Sequence, residues 1–229
     1  MQLFFHPDLS SPSITWEGPE FHHATHVLRQ GPGMTIHLTD GAGRLARAEI
    51  THLEKKKATL VIRELTEKPA PSPEVHLFVA PTKQIDRMEW LVEKGTEIGV
   101  AGFHFFTSYH SERRVIRKDR LEQIALAAMK QSNRLHLPVI HPLIPWRDAL
   151  VKAGIYPVRL IAQAGGPTHL TALAATKAPV ALLIGPEGDF SEQEIQEALM
   201  AGFTKVQLGE YRLRTETAAL IAAALIVPF

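Results

Sequence analysis

Short apolar runs alternate with helical patterns through residues 71–229, and this alternation constrains the fold more than any other feature of the chain. The runs at residues 75–80, 158–162 and 180–184 are suited to buried strands, because strands covered on both faces are continuously apolar. Helical patterns lie between these runs. Strand–helix alternation of this kind favours an α/β domain with a mainly parallel sheet.

The helical patterns have recognisable faces and ends. One apolar face contains Met88, Leu91 and Val92 and precedes a stop at Gly99. A second face consists of Leu121, Ile124, Ala125, Ala128 and Met129. The spacing of Ser191 and Glu194 predicts a capping box, which would begin a helix that ends near Gly202.

A proline-rich segment at residues 68–73 separates this region from a different one. Its prolines cannot continue a helix or a central strand, so the segment predicts an extended linker. Before it, β-like runs at residues 34–38, 45–50 and 59–62 flank turn signals, including a hairpin-type turn at residues 40–43. We therefore predict a small, mostly β domain at residues 1–70 and an α/β domain at residues 71–229.

Composition excludes several classes of function. The chain has no cysteine, which excludes disulfide frameworks, cysteine-ligated zinc, iron–sulfur clusters and thiol catalysis. A formal net charge of +1 excludes a protein that grips nucleic acid by bulk charge. The N-terminal residues lack a signal-peptide pattern, and the longest apolar run, at residues 218–227, has about half the length that spans a bilayer. We expect a cytoplasmic protein without a membrane segment.

Charged and histidine-rich segments leave alternatives open. The densest basic stretch, at residues 113–120, is either a solvated helix start or a patch that contacts phosphates. His22 and His26 have a helical i,i+4 spacing but lack the glutamate of a zincin motif, so we expect no metal site. Arg134 ends a helical segment, where the helix dipole by itself attracts cations.

Two glycine-containing segments can carry chemistry. Residues 182–191 join a buried strand to a capped helix through Gly185 and Gly188, which serve either a tight turn or a ligand loop. In residues 208–218, Thr215 is a candidate N-cap of the last helix, and Glu216 falls in its first turn. Arg214 lies beside the N-terminus of this helix, where the helix dipole disfavours a cation. Its position is better explained by an anionic or polarised partner.

Together these segments resemble the 16S ribosomal RNA small subunit methyltransferase E family, within the SPOUT superfamily of knotted methyltransferases. The resemblance is carried by HATHVLR at residues 23–29, Lys83 with EWLVEKGTEIGV at 89–100, QSNR at 131–134, IGPEGDF at 184–190 and LGEYRLRTETA at 208–218. Asp189 and Asn133 stand where family members usually have glycine. Both residue types tolerate positive φ better than most, so the turns can be retained.

The resemblance implies a fold and an activity. The first domain would be a PUA-like β-barrel that helps to hold RNA, and the second a SPOUT domain with a C-terminal trefoil knot, in a homodimer. The reaction would be methylation of uridine N3 in 16S rRNA of the 30S subunit, near the decoding centre, with S-adenosylmethionine and without a metal. The alternatives are a SPOUT methyltransferase that acts on another RNA, such as tRNA, and a non-catalytic ribosome assembly factor.

The resemblance also implies site residues. The cofactor would lie in loops at residues 161–166, 183–188 and 208–218, with contacts from Ala164, Leu183, Ile184, Gly185, Pro186, Glu187, Gly188, Leu208, Gly209, Leu213, Arg214, Thr215, Thr217 and Ala218. Arg134 or Arg214 would contact the nucleotide or its phosphate, and Glu216 or Glu97 would assist removal of the N3 proton. The expected RNA phosphate contacts are Arg29, Lys83, Arg113, Arg114 and Arg117.

Overall fold

The computed structural model describes residues 1–173 and 175–228, and these form two compact units. The first unit contains residues 1–70 together with residues 129–137, a segment that the sequence did not group with them. The second contains residues 71–128 and the described residues from 138 onward. The proline-rich segment at residues 68–73 follows the last strand of the first unit and precedes the first strand of the second, as its prolines predict.

The first unit is built on a mostly antiparallel sheet. Its elements are β1 (Leu3–Phe5), β2 (Ser13–Glu17), α1 (Gly18–His22), a π-helix (His23–Val27), β3 (Thr35–Thr39), β4 (Arg44–Leu53) and β5 (Lys57–Glu67). The strand order is β1-β3-β4-β5-β2, in which β1 and β3 are parallel and the other neighbours antiparallel. The predicted hairpin turn between β3 and β4 is confirmed, and Asp40 Oδ1 accepts the backbone N–H of Ala42 there at 2.8 Å. Gly43 has φ 104°, and a Cβ on it would lie 2.5 Å from the carbonyl oxygen of Lys68, so this turn requires glycine.

The core of the first unit is centred on Trp16. Residues in β2 alternate between exposed and buried, which directs Ile14 and Trp16 to the inner face of the sheet. The ring of Trp16 meets Phe4 and Phe21 edge-on, with centroid distances of 5.2 and 6.1 Å. The rest of this core comprises Leu9, Ala24, Ile36, Leu38, Ala46, Ala48, Ile50, Ala58 and Leu60.

The second unit alternates strands and helices. Its elements are β6 (Val75–Val79), α2 (Ile85–Ile98), β7 (Gly102–Thr107), α3 (Lys118–Gln131, whose last turn belongs to the first unit), β8 (Val139–Ile140), β9 (Ile144–Pro145), α4 (Trp146–Ala153), β10 (Val158–Ala162), β11 (Thr168–His169), a 3-10 helix (Leu170–Leu173), β12 (Val180–Ile184), α5 (Glu192–Met200), β13 (Thr204–Gln207) and α6 (Thr215–Ile226). The strand order is β11-β13-β10-β12-β6-β7-β8, with β9 beside β7. Each pairing recorded for these strands is parallel, which confirms the α/β prediction.

Local signals in this unit are also confirmed. The runs predicted at residues 158–162 and 180–184 are β10 and β12, and every residue of β12 is buried. Helix α2 ends at Gly99, which has φ 101° and a left-handed conformation. Helix α5 begins with the predicted capping box of Ser191 and Glu194. Strands β13, β10, β12 and β6 are adjacent and parallel, so the segments that follow them leave the sheet at one edge.

Candidate active site

A cavity of about 410 Å³ opens at the carboxyl ends of β10, β12 and β13. This volume lies within the range of small-molecule and cofactor sites. The lining residues are Arg87, Ala162, Gln163, Ala164, Ile184, Gly185, Pro186, Glu187, Asp189, Leu208, Gly209, Tyr211, Arg212, Leu213, Arg214, Thr215 and Ala218. Ligands of open α/β sheets bind at this edge, where backbone leaves the strands.

The loop after β12 is shaped by close contacts. A Cβ on Gly185 would lie 3.2 Å from the ring of Phe190, so a larger residue there would press on that ring. The backbone N–H of Asp189 donates to the carbonyl oxygen of Pro186 at 2.9 Å, which closes a turn. Asp189 has φ 63° and Asn133 has φ 55°, so both residues adopt the positive φ that the sequence predicted they would tolerate.

The start of α6 differs from the sequence prediction. Arg214 is the N-cap residue, and its side chain makes no capping hydrogen bond. The prediction that Thr215 caps the helix is wrong, because its hydroxyl has a tertiary acceptor instead and donates to the carbonyl oxygen of Gly185 at 2.9 Å. This bond ties the first turn of α6 to the loop after β12. The exposed side chain of Arg214 lines the cavity, and its predicted anionic or polarised partner stays a prediction.

Arg87 and Glu216 form an ion pair beside the cavity. Arg87 Nε lies 3.7 Å from Glu216 Oε1, and Arg87 lines the cavity. Glu216 is buried in the first turn of α6, and its Oε2 has no hydrogen-bond partner among the described residues. Sequence reasoning missed Arg87, because it lies on α2, far from the glycine-containing segments.

Gln163 contributes a second unsatisfied acceptor. It follows β10 and lines the cavity, and its buried Oε1 has no partner within the described part of the chain. Buried polar atoms are usually hydrogen-bonded, so an orphaned acceptor in a cavity wall indicates a ligand that donates to it.

Hydrogen bonds also hold the loops beside the cavity. The backbone N–H of Lys83 donates to Glu187 Oε1 at 3.1 Å, and Arg212 Nη2 donates to the carbonyl oxygen of Glu187 at 2.5 Å. The Arg113 guanidinium donates to the carbonyl oxygens of Thr82 and Lys83. These bonds connect the segments that follow β6, β7, β12 and β13.

Most of the predicted cofactor residues line the cavity. These are Ala164, Ile184, Gly185, Pro186, Glu187, Leu208, Gly209, Leu213, Arg214, Thr215 and Ala218. Leu183, Gly188 and Thr217 do not. Leu183 belongs to the hydrophobic core, and Gly188 packs against His110, whose Cβ would lie 2.9 Å from a Cβ on the glycine. Thr217 lies on a different face of α6 from the two lining residues Thr215 and Ala218, which are three positions apart.

Sequence reasoning also left out lining residues, namely Arg87, Ala162, Gln163, Asp189, Tyr211 and Arg212. Gln163 lies within the loop that the resemblance mapped at residues 161–166, and Tyr211 and Arg212 lie within the loop at residues 208–218. For these residues, the sequence predicted the loop that contains them but not the individual contacts. For Arg87 the sequence offered only its place on a predicted helix.

The predicted catalytic residues are distributed differently. Arg214 lines the cavity and Glu216 pairs with a lining residue. The structure does not bring Glu97 to the cavity, because it lies in the last turn of α2 and binds Lys94 Nζ at 2.8 Å. Arg134 belongs to the first unit and is not a lining residue, and burial lowers the pKa of its guanidinium.

The predicted RNA-contacting residues are mostly exposed. Arg29, Lys83, Arg114 and Arg117 are exposed, and Arg113 is half-buried by its bonds to carbonyl oxygens. Lys83 pairs with Glu112 at 2.9 Å, and the hydrogen bond raises the pKa of the lysine. The hydrogen bond that Arg117 donates to Asp119 raises the pKa of the Arg117 guanidinium in the same way. Their role in RNA binding stays a prediction.

The histidines form ring contacts. His22 and His26 stack with a centroid distance of 4.1 Å. The described residues contain no cluster of three or more histidine, cysteine or acidic side chains that could hold a metal ion. Within the same residues, no helix has the length and apolar character needed to cross a membrane.

Comparison with known proteins identifies the family. An RNA methyltransferase domain model matches residues 68–227, and an RNA methyltransferase PUA domain model matches residues 17–63. The chain is 33% identical to a ribosomal RNA small subunit methyltransferase E from Neisseria gonorrhoeae, solved bound to S-adenosyl methionine, with 98% of this chain and 95% of that one covered and a TM-score of 0.83. The chain belongs to the ribosomal RNA small subunit methyltransferase E family.

Another solved structure and a curated relative are similar to this chain over most of its length. A probable rRNA-methyltransferase from Porphyromonas gingivalis is 40% identical, with 97% of this chain and 95% of that one covered and a TM-score of 0.87. The ribosomal RNA small subunit methyltransferase E of Bacillus subtilis is 27% identical over 94% of this chain and 90% of its own length. The family resemblance and the PUA-like character of the N-terminal region are therefore confirmed.

Proposed function

We propose that this protein transfers a methyl group from S-adenosylmethionine to N3 of a uridine in 16S rRNA of the small ribosomal subunit. The observation that carries the proposal is the cavity at the carboxyl ends of β10, β12 and β13, which is lined by most of the residues that the family resemblance predicted for the cofactor. Family membership supports methyl transfer to ribosomal RNA. The choice of uridine N3 rests on the family resemblance.

The chemistry of the cavity fits this cofactor. S-adenosylmethionine carries amino and ammonium donors, a carboxylate acceptor and an apolar adenine face. The cavity offers an orphaned buried acceptor at Gln163, cations at Arg87 and Arg214, and apolar walls that include Ile184 and Leu208. The residue types present therefore match each group of the cofactor.

The residues that would hold the cofactor follow from this lining. The backbone of residues 184–187 and of the lining residues within 208–213 would contact the adenosine, and Gln163 would accept a hydrogen bond from one of its donors. When bound, the cofactor supplies a methyl group already activated by a sulfonium. The methyl passes to N3 as the N3–H bond breaks, and the products are S-adenosylhomocysteine, methylated uridine and a proton.

The protein would supply position and charge. The uracil must lie with N3 in line with the methyl group, and negative charge grows on its ring as the N3 proton leaves. Arg214 is exposed, lines the cavity and carries no capping bond, so we propose that it stabilises this charge. Of the carboxylates predicted to assist deprotonation, only Glu216 lies beside the cavity.

We propose a division into a PUA-like RNA-holding domain at residues 1–70 and a knotted SPOUT domain at residues 71–229, of which residues 129–137 belong to the first compact unit and residues 174 and 229 lie outside the described structure. RNA phosphates would be contacted by Arg29, Lys83, Arg113, Arg114 and Arg117. We further propose a homodimer that acts on the 30S subunit in the cytoplasm.

The test combines purified protein, labelled S-adenosylmethionine and 30S subunits from cells that lack the modification, followed by nucleoside mass spectrometry. We expect 3-methyluridine on the subunits, and protein-free 16S rRNA in parallel shows whether assembled structure is required. Cofactor binding without methylated uridine would overturn the substrate, and tRNA would be tried next. Absence of both would favour a non-catalytic assembly factor.

A further inference from the structure

Glu216 is a buried carboxylate whose hydrogen bonding is incomplete. It is 7% exposed, its Oε1 lies 3.7 Å from Arg87 Nε, and its Oε2 has no partner among the described residues. A buried carboxylate is costly unless a cation balances it. Within the described chain, Arg87 is the cation that forms an ion pair with Glu216. The placement of each side chain therefore depends on the other.

The Arg87 guanidinium has hydrogen-bond donors available to a ligand. A guanidinium carries five N–H donors. The contact with Glu216 is longer than a hydrogen bond, and no hydrogen bond from the Arg87 guanidinium to another described residue is present. Arg87 lines the cavity and its side chain is 23% exposed, so its unused donors are accessible to a molecule bound there.

Glu216 itself does not line the cavity. A general base must come within hydrogen-bond reach of the atom that loses the proton, or act through one water. Arg87 is a lining residue of the cavity, whereas Glu216 is buried in the first turn of α6. This arrangement fits a carboxylate that fixes an arginine better than a carboxylate that takes a proton from the substrate.

We propose that Arg87 donates hydrogen bonds to an anionic oxygen of the bound reactants, and that Glu216 is the positioning residue that holds Arg87 for this contact. The inference rests on the proposed function and refines it. Two groups could supply this oxygen. One is the carboxylate of S-adenosylmethionine, and the other is a uracil oxygen that gains negative charge as the N3 proton leaves.

Binding measurements distinguish the two sources. The variants Arg87→Met and Glu216→Gln would be titrated calorimetrically with S-adenosylmethionine and with 5′-methylthioadenosine, which lacks the carboxylate. If the carboxylate is the partner, we expect both variants to bind S-adenosylmethionine about 10- to 100-fold more weakly and methylthioadenosine unchanged. If the uracil oxygen is the partner, both affinities stay unchanged and kcat on 30S subunits falls about 10- to 100-fold without a change in KM.

Coupling tests the positioning role. We expect the double variant to lose no more than either single variant, because each substitution disables the same contact. The pH profile of kcat should keep its shape in Glu216→Gln, and Arg87→Lys should restore part of the loss. The matched controls are Arg63→Met and Glu49→Gln, an ion pair on the sheet of the first unit, and both should behave as wild type.

The inference would be overturned if Glu216→Gln abolished turnover while Arg87→Met retained it, or if both variants bound and reacted as wild type. Losses that multiply in the double variant would overturn it as well. These outcomes compare variants with the wild-type protein. A wild-type protein that binds S-adenosylmethionine but does not methylate the subunit overturns the proposed substrate instead, and the calorimetric comparison with the carboxylate-free ligand then still tests Arg87.

Discussion

The first turns of α5 and α6 place the same residue type in similar positions with different results. Glu194 and Glu216 are both buried, at 5% and 7% exposure. The carboxylate of Glu194 accepts hydrogen bonds from the Ser108 hydroxyl, from the backbone N–H groups of Tyr109 and Ser191, and from the Ser191 hydroxyl. Glu216 has one ion pair at 3.7 Å and an orphaned oxygen.

The difference separates a carboxylate that is satisfied inside the fold from one for which we propose a role in the site. Glu194 has its partners inside the fold, so it secures the start of α5 and the segment after β7. Glu216 is balanced by Arg87, which lines a cavity, and its Oε2 has no partner among the described residues. Both residues are buried in a first turn, Glu194 at the third position after its N-cap and Glu216 at the second, and their hydrogen bonding distinguishes them.

The largest effect is expected at α5. Glu194→Ala should lower the free energy of unfolding by about 3 kcal/mol, because it leaves several buried donors without an acceptor. Affinity for S-adenosylmethionine, measured on the folded protein, should be unchanged. Urea denaturation measures the loss, and Glu192→Ala is the control, since this exposed residue of the same turn should cost only about 0.5 kcal/mol. Equal losses of unfolding free energy in the two variants would show that the hydrogen bonds of Glu194 do not stabilise the fold.

A smaller but mainly catalytic effect is expected at α6. Arg214→Ala should reduce turnover on 30S subunits about 100-fold, because it removes a cation from the cavity. Stability should change by less than about 0.5 kcal/mol, because the Arg214 side chain makes no capping bond. Single-turnover kinetics and urea denaturation measure the two quantities. Arg147→Ala, on the exposed face of α4, is the control, and turnover at the wild-type rate in Arg214→Ala would contradict the proposal.

His104 tests whether an orphaned buried atom always marks a site. Its Nδ1 has no partner among the described residues, but its ring stacks between Phe78 and His141, with centroids 4.1 and 3.9 Å away. Burial, with the neighbouring charge of His141, lowers the pKa of His104 to about 3. The unfolded chain therefore takes up a proton first, and stability present above about pH 6.5 is lost as the pH falls towards 3.

We expect this residue to account for about 2 kcal/mol of the stability lost between pH 6 and 4.5. His104→Phe should flatten that part of the pH dependence, measured by urea denaturation at several pH values, and leave cofactor affinity at pH 7.5 unchanged. A pH dependence identical to that of the wild type would show that His104 does not stay neutral in the folded protein.

The smallest of these effects is expected at Gln163. Gln163→Leu should weaken binding of S-adenosylmethionine about tenfold, because a donor of the ligand loses its acceptor in the cavity wall. Isothermal titration calorimetry measures the change, with the exposed Gln196→Leu on α5 as control. Unchanged affinity in Gln163→Leu would show that its orphaned Oε1, like the orphaned Nδ1 of His104, does not mark a ligand contact.

Features that depend on neighbouring residues could be predicted from the sequence. The runs of β10 and β12, the Gly99 end of α2 and the capping box of α5 follow from contacts within a few residues. The segments that form the cavity walls could be predicted because they match family motifs, and the position of Arg214 was already unfavourable for a helix start.

Features that depend on tertiary contacts could not be predicted. Thr215 looked like a cap, but its hydroxyl binds the carbonyl oxygen of Gly185, which belongs to another loop. Arg87 became a site residue only because the sheet brings α2 and α6 together beside one cavity. Glu97 lies on the same helix as Arg87, but in its last turn. Although Glu97 belongs to a family motif, its position along the helix keeps it away from the cavity that Arg87 lines.

Amide hydrogen exchange, followed residue by residue by NMR with and without S-adenosylmethionine, tests the difference between the two helix starts most directly. We expect slower exchange on addition of the cofactor at residues 184–189 and 208–218, and unchanged exchange through α5 and at Tyr109, where Glu194 is already satisfied. Protection that is equal at both helix starts, or absent from residues 208–218, would contradict the assignment of the α6 turn to the cofactor site.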